Sequence, residues 1–112
     1  MYAVKIIFMS GPDDGTEVWL RSNQSQGYAV VDGWAFVIGR RETCDLSIPF
    51  DTQVSREHAR LLILQNEMRL QDNGSRNGTF IENMLVHDEA PVQLGQLFRI
   101  GRTWLRVEES QQ

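Results

Sequence analysis

The sequence predicts an all-β fold, a two-sheet antiparallel β-sandwich. Three observations carry that reading. Short apolar runs rich in β-branched and aromatic residues recur along the chain. Turn signals separate them at intervals of roughly ten residues. No stretch keeps the apolar period of an amphipathic helix. With 112 residues there is room for one domain with a single modest core.

Taken in order, Val4 to Phe8 reads as a first strand and Glu17 to Arg21 as its hairpin return, joined by the turn cluster Ser10 to Gly15. Ser22 to Gly27 is polar and weakly specified. Trp34, Phe36 and Ile38 then alternate with Ala35 and Val37, which gives a strand one heavily apolar face and ends it at Gly39. Leu46 and Ile48 mark a very short strand before Pro49. Ala59 to Leu64 and Met68 to Asp72 read as paired strands turning at Gln65-Asn66-Glu67. A loop from Gln71 to Thr79 carries Asn-Gly twice, at Asn73-Gly74 and Asn77-Gly78, and both residue types tolerate positive φ. Phe80-Ile81, Leu85-Val86, Val92 to Leu94, Leu97 to Ile100 and Thr103 to Val107 complete the strands. Trp19, Trp34 and Trp104 fall on these strand patterns as core or rim residues.

Composition limits the function. Hydrophobic residues make up 41% and charged residues 23%, the balance of an ordinary folded domain. The net charge of −4 argues against nucleic-acid binding, which calls for a basic stripe. The cations are ten arginines and one lysine, Lys5, and arginine favours planar bidentate partners. Cys44 is the only cysteine, so neither an internal disulfide nor a cysteine zinc cluster is expected. The N-terminal apolar run contains Lys5 and lacks a cleavage pattern, and no run reaches membrane-spanning length. A cytoplasmic protein without membrane insertion, metal or cofactor is therefore expected.

Three segments hold the candidate chemistry: Gly39-Arg40, Ser55-Arg56-Glu57-His58 and Ser75-Arg76-Asn77-Gly78-Thr79. Each offers an oxyanion short neutral donors or planar charged ones. Taken singly, each has an ordinary reading as well. Arg40 fits a solvated surface arginine and Ser55 a turn cap. Arg56 fits a partner of Asp51 or Glu57, His58 a satisfied structural histidine, and Asn77-Gly78 a hairpin turn. A hydrolase built on Cys44 and His58 is the enzymatic alternative, but it lacks an orienting third group and an oxyanion motif.

Together the motifs resemble the forkhead-associated (FHA) domain family. The resemblance rests on Ile38-Gly39-Arg40, Val54 to Ala59, Leu70 to Phe80 and Phe98 to Gly101, in that order and spacing, and spans Val4 to Val107. It implies a sandwich of about eleven strands, a domain over residues 1–108 and a polar tail over 109–112 where a linker would begin. It also implies a non-enzymatic module that binds phosphothreonine in a partner protein, or in its own phosphorylated segment, with a functional link to a Ser/Thr kinase. A phosphorylation-independent scaffold of the same fold is the alternative. By position, Arg40, Ser55 and Arg56 would bind phosphate, and Arg76 and Asn77 would touch the peptide. Gly39, His58 and Gly78 would support the loops. Gln53 stands where some relatives read a charged peptide side chain. Glu82-Asn83 and Gln96 depart from the family's usual Asn-Gly and Asp, which leaves the shape of the turns there open.

Overall fold

The computed structural model describes residues 1–112. It is a sandwich of two six-stranded sheets. The first orders its strands β2 (Glu17–Arg21), β1 (Ala3–Phe8), β12 (Thr103–Gln111), β11 (Leu97–Ile100), β8 (Thr79–Ile81) and β9 (Met84–Leu85). The second runs β10 (Glu89–Val92), β7 (Met68–Asp72), β6 (Ala59–Leu64), β4 (Gly33–Gly39) and β3 (Tyr28–Val30), with β5 (Leu46–Ser47) added to β4. All pairings are antiparallel except β4 with β5. A single 3₁₀ turn, Ser22–Gln24, is the only helical segment. No helix is long and apolar enough to cross a membrane.

The alternation seen in the sequence is the alternation of the core. Phe36 and Ile38 of β4, Leu61 and Ile63 of β6, Leu70 of β7, Phe98 and Ile100 of β11 and Leu105 of β12 are fully buried between the sheets. Trp34 is half-buried, stacked on Tyr2 with its Nε1–H donated to the Gln26 carbonyl at 2.9 Å. Trp19 and Trp104 are half-buried too, beneath Arg21 and Arg99 respectively, so all three tryptophans lie at the rim.

Three details differ from the sequence reading. β3 was not foreseen, because Tyr28 and Ala29 are both exposed and leave no alternation to read. β10 lies at Glu89–Val92 rather than Val92 to Leu94, since Val92 alone is buried there and Leu94 is 55% exposed. Pro91 is tolerated on β10 because the strand lies at a sheet edge. The expected polar tail is strand: after an irregularity opposite Lys5/Ile6, β12 continues to pair, with Lys5 opposite Glu109 and Ala3 opposite Gln111. Lys5 Nζ holds Glu109 at 3.5 Å and Glu17 at 3.6 Å across that sheet. Backbone pairing along β1 thus orders a segment with no apolar signal of its own. The turns at Glu82-Asn83 and Gln96 form without the family's usual residues. Glu82 takes φ 52° between β8 and β9, and the Gln96 amide closes its turn by accepting from Gln93 N–H (3.0 Å) and donating to Glu82 (3.2 Å).

Candidate functional site

The connections β4–β5, β5–β6, β7–β8 and β11–β12 meet at one end of the sandwich. The end of β4 sits tightly against the Ser55 loop. Arg40 N–H donates to the Ser55 carbonyl (3.0 Å) and Arg41 N–H to that of Arg56 (3.3 Å). Gly39 permits this approach: a Cβ there would lie 2.2 Å from the Arg56 carbonyl oxygen and 2.9 Å from Cys44 Sγ. The need is steric and involves no unusual backbone angle.

His58 ties two loops together. Ser55 N–H donates to its Nδ1 (3.0 Å), and its Nε2–H donates to the Gly78 carbonyl (2.9 Å). A backbone N–H can only donate and a carbonyl can only accept, so the imidazole is the neutral Nε2–H tautomer. Burial pushes its pKa below the ordinary value of 6.5, against the upward pull of the Gly78 bond and of Asp72 and Asp51. With both ring nitrogens engaged, His58 is not free to serve Cys44 as a base. The Cys44 thiol donates to the Arg56 carbonyl (3.2 Å), and burial holds it neutral by raising its pKa.

Two carboxylates act as loop anchors that sequence reading did not assign. Asp72 accepts from Ser75 N–H (3.0 Å), Ser75 Oγ–H (2.5 Å) and Thr79 Oγ1–H (2.7 Å). Ser75 Oγ in turn accepts from Gly78 N–H (3.0 Å), while Gly78 sits at φ 87°. Asp51 accepts from Gln53 N–H (3.0 Å), Arg102 N–H (2.8 Å) and Thr103 Oγ1–H (2.7 Å), so it pins the Ser55 loop to the β11–β12 turn. Burial works to raise both pKa values, but the donors outweigh it and leave each carboxyl below its ordinary range. The local Asx pattern at Asp72-Asn73-Gly74-Ser75 was a usable signal. The bonds from Asp51 to residues 102 and 103 had none.

On this frame the loops enclose an open cleft of about 430 Å³, whose lining includes Arg40, Gln53, Ser55, Arg56, Arg76 and Asn77. Hydrogen bonds join several of these lining residues to one another. Ser55 Oγ accepts from Arg76 N–H (3.1 Å), which leaves its own hydroxyl hydrogen to donate. Asn77 Nδ2 donates to the Gln53 carbonyl (3.0 Å), leaving its amide oxygen and one N–H free for a peptide backbone. Arg40, Arg56 and Arg76 take part in no ion pair, whereas Glu57, on the same rim, is held by Arg41 at 3.5 Å. Arg56 therefore does not follow its ordinary reading as a partner of Asp51 or Glu57. Thr52, Asn73 and Gly74 complete the rim, and only the turn-forming pair Asn73-Gly74 stood out in the sequence.

The sequence profile of the FHA domain matches residues 36–101, more than half of the chain and all three of these loops. The chain belongs to the FHA domain family. Its residues are 36% identical over 71 positions to the FHA domain-containing protein FhaB of Mycobacterium tuberculosis. That match takes in 63% of this chain and 45% of FhaB, so the chain spans about half the length of the curated relatives it matches. Among solved structures it resembles an FHA domain from a structural and functional analysis of phosphothreonine-dependent interactions, with TM-score 0.73, 27% identity and 96% of both chains covered. It also resembles the FhaA FHA domain complexed with a partner's intracellular domain, with TM-score 0.71, 28% identity and 94% and 99% covered. An FHA domain of Chlamydia trachomatis shares the fold, with TM-score 0.76, 20% identity and 96% and 97% covered. As an FHA domain, the chain is a single unit of a non-catalytic binding family.

Proposed function

We propose that this FHA domain binds threonine-phosphorylated segments of a partner protein in the cleft between Arg40, Ser55 and Asn77. The observation that carries the reading is the set of three arginines without ion pairs around one half-buried serine hydroxyl. A phosphothreonine brings roughly −1.5 to −2 charge and three acceptor oxygens. Arg40 can hold two of those oxygens with its planar fork, Ser55 can donate to one, and Arg56 and Arg76 add charge at the rim. At about 1.5–3 kcal/mol for each charge-assisted bond, these groups suffice for micromolar affinity, about 8 kcal/mol. Asn77 offers the adjoining peptide backbone one donor and one acceptor. The similarity to a domain studied for phosphothreonine-dependent interactions supports the same reading. On this reading a Ser/Thr kinase marks the partner, in a cytoplasmic setting.

Matched peptides carrying phosphothreonine, phosphoserine, aspartate or unmodified threonine, drawn from a degenerate library, test it by fluorescence anisotropy. Binding restricted to phosphorylated peptides, phosphothreonine first, is expected. Equal binding of all four peptides would show a phosphorylation-independent scaffold instead.

A further inference from the structure

Two Asn-Gly pairs stand on one connection, and the fold treats them differently. An Asn-Gly bond is where backbone cyclisation is least hindered, because glycine puts no Cβ beside its nitrogen. In that reaction the glycine amide nitrogen, having lost its proton to solvent base, attacks the asparagine Cγ. A new C–N bond closes a cyclic imide, and Nδ2 leaves as ammonia. Water then opens the imide at either carbonyl, leaving aspartate or isoaspartate. One water is consumed and one ammonia released, with no oxidant or partner required.

The step needs a glycine nitrogen that the fold does not hold. Gly78 N–H donates to Ser75 Oγ at 3.0 Å, and Asp72 grips that oxygen in turn, so Gly78 is fixed at both its nitrogen and its acceptor. Asn77 Nδ2 is tied to the Gln53 carbonyl, as Asn73 Nδ2 is to the Glu57 carbonyl, so the two sites differ at their glycine nitrogens. Gly74 has no such restraint. Its N–H meets no acceptor, it is exposed, and the space beyond its Cα is open. Asn73 is held by its own N–H to the His58 carbonyl (2.9 Å) and by Nδ2 to the Glu57 carbonyl (3.1 Å), but neither bond touches the attacking nitrogen.

We propose that Asn73-Gly74 is a spontaneous deamidation site on the rim of the binding cleft, and that the fold protects Asn77-Gly78. The product would place a carboxylate among Arg40, Arg56 and Arg76 and set it against the Glu57 carbonyl, where an N–H now donates. Resting on the proposed function, this modification weakens phosphopeptide binding as the protein ages.

Trypsin separates the two sites, since cleavage after Arg69, Arg76 and Arg99 puts Asn73 in the peptide 70–76 and Asn77 in 77–99. The folded protein is held in warm, mildly alkaline buffer and its digests are followed by mass spectrometry. Asn73 should convert about tenfold faster than Asn77, the factor that one retained hydrogen bond supplies. In strong urea both should convert at similar rates. Equal conversion in the folded protein, or none at Asn73, overturns the proposal. Asn73→Asp should bind a phosphothreonine peptide about five- to tenfold more weakly than the fresh wild type, through added like-sign charge near the phosphate. Unchanged affinity of Asn73→Asp would remove the functional consequence while the mass data stand. A fresh wild type that binds no phosphothreonine peptide would instead refute the proposed function.

Discussion

Arg40→Ala separates binding from folding, and the structure fixes how far apart the two effects should lie. The main-chain ties of Arg40 are its N–H to Ser55 and the acceptance of Ser47 Oγ–H by its carbonyl (3.5 Å), and alanine keeps both. Its side chain is half-exposed and makes no ion pair, so the stability change should stay within about 0.5 kcal/mol, a Tm shift of about 3 °C or less. Binding should suffer far more. The guanidinium supplies two charge-assisted bonds at about 1.5–3 kcal/mol each, and partial exposure favours the lower figure, so about 3 kcal/mol is lost. That corresponds to roughly a hundredfold weaker Kd. Arg40→Lys keeps the charge without the fork and should fall between, at about tenfold. Fluorescence anisotropy with a labelled phosphothreonine peptide, run beside thermal melts, reads both quantities. If Arg40→Ala binds within threefold of the wild type, or loses Tm in step with affinity, the assignment of Arg40 to phosphate is wrong.

Gly39→Ala should do the reverse and lose stability and binding together. Its Cβ would collide with the Arg56 carbonyl, at a cost of about 3 kcal/mol or more and a Tm fall on the order of 10 °C. His58→Ala leaves Ser55 N–H and the Gly78 carbonyl without partners beside a new void, so chemical denaturation should show a loss of about 2–4 kcal/mol. The pH dependence has a definite sign. His58 has a folded pKa below its unfolded value of 6.5, so the unfolded chain takes up the proton first. Its contribution is complete above that value and is lost as pH falls through the folded pKa; urea titrations of wild type against His58→Gln should show this slope in the wild type alone. Asp72→Asn cannot accept from Ser75 N–H and both hydroxyls in the same way, and should cost about 1–3 kcal/mol by denaturation while loosening peptide binding.

The strands that pack the core were legible because their signal is local. Phe36 and Ile38 alternate with half-buried or small neighbours, and Ala59 to Leu64 answers Met68 to Asp72 across a short turn. The segments that were misread draw their order from elsewhere. Glu108–Gln111 is polar and becomes strand only because β1 offers a pairing edge, and β10 is set by a single buried valine. The site divides the same way. Arg40, Ser55, Arg56, Arg76 and Asn77 were legible as a set, and all of them line one cleft. What stayed hidden was the bracing, since the bonds of Asp51 to Arg102 and Thr103 join residues 51 and 52 positions apart.

That bracing also explains how an acidic protein keeps a cationic cleft. Asp51 and Asp72 lie directly under the loops, where a carboxylate would ordinarily pair with the nearest guanidinium. Here each accepts three hydrogen bonds from neutral donors: backbone N–H groups and the hydroxyls of Ser75, Thr79 and Thr103. Glu57, the acid on the rim, is taken by Arg41, which lies outside the cleft lining. Because such donors satisfy a carboxylate's hydrogen-bonding capacity without bringing a positive charge, the loops can be anchored by acids while Arg40, Arg56 and Arg76 remain without counter-ions. Replacing Thr103 with valine should therefore release one Asp51 lone pair toward the Arg102 side chain nearby and not toward Arg40. The phosphopeptide affinity of that variant should fall less than its stability, and the opposite order would mean that Asp51 acts on the cleft through its charge.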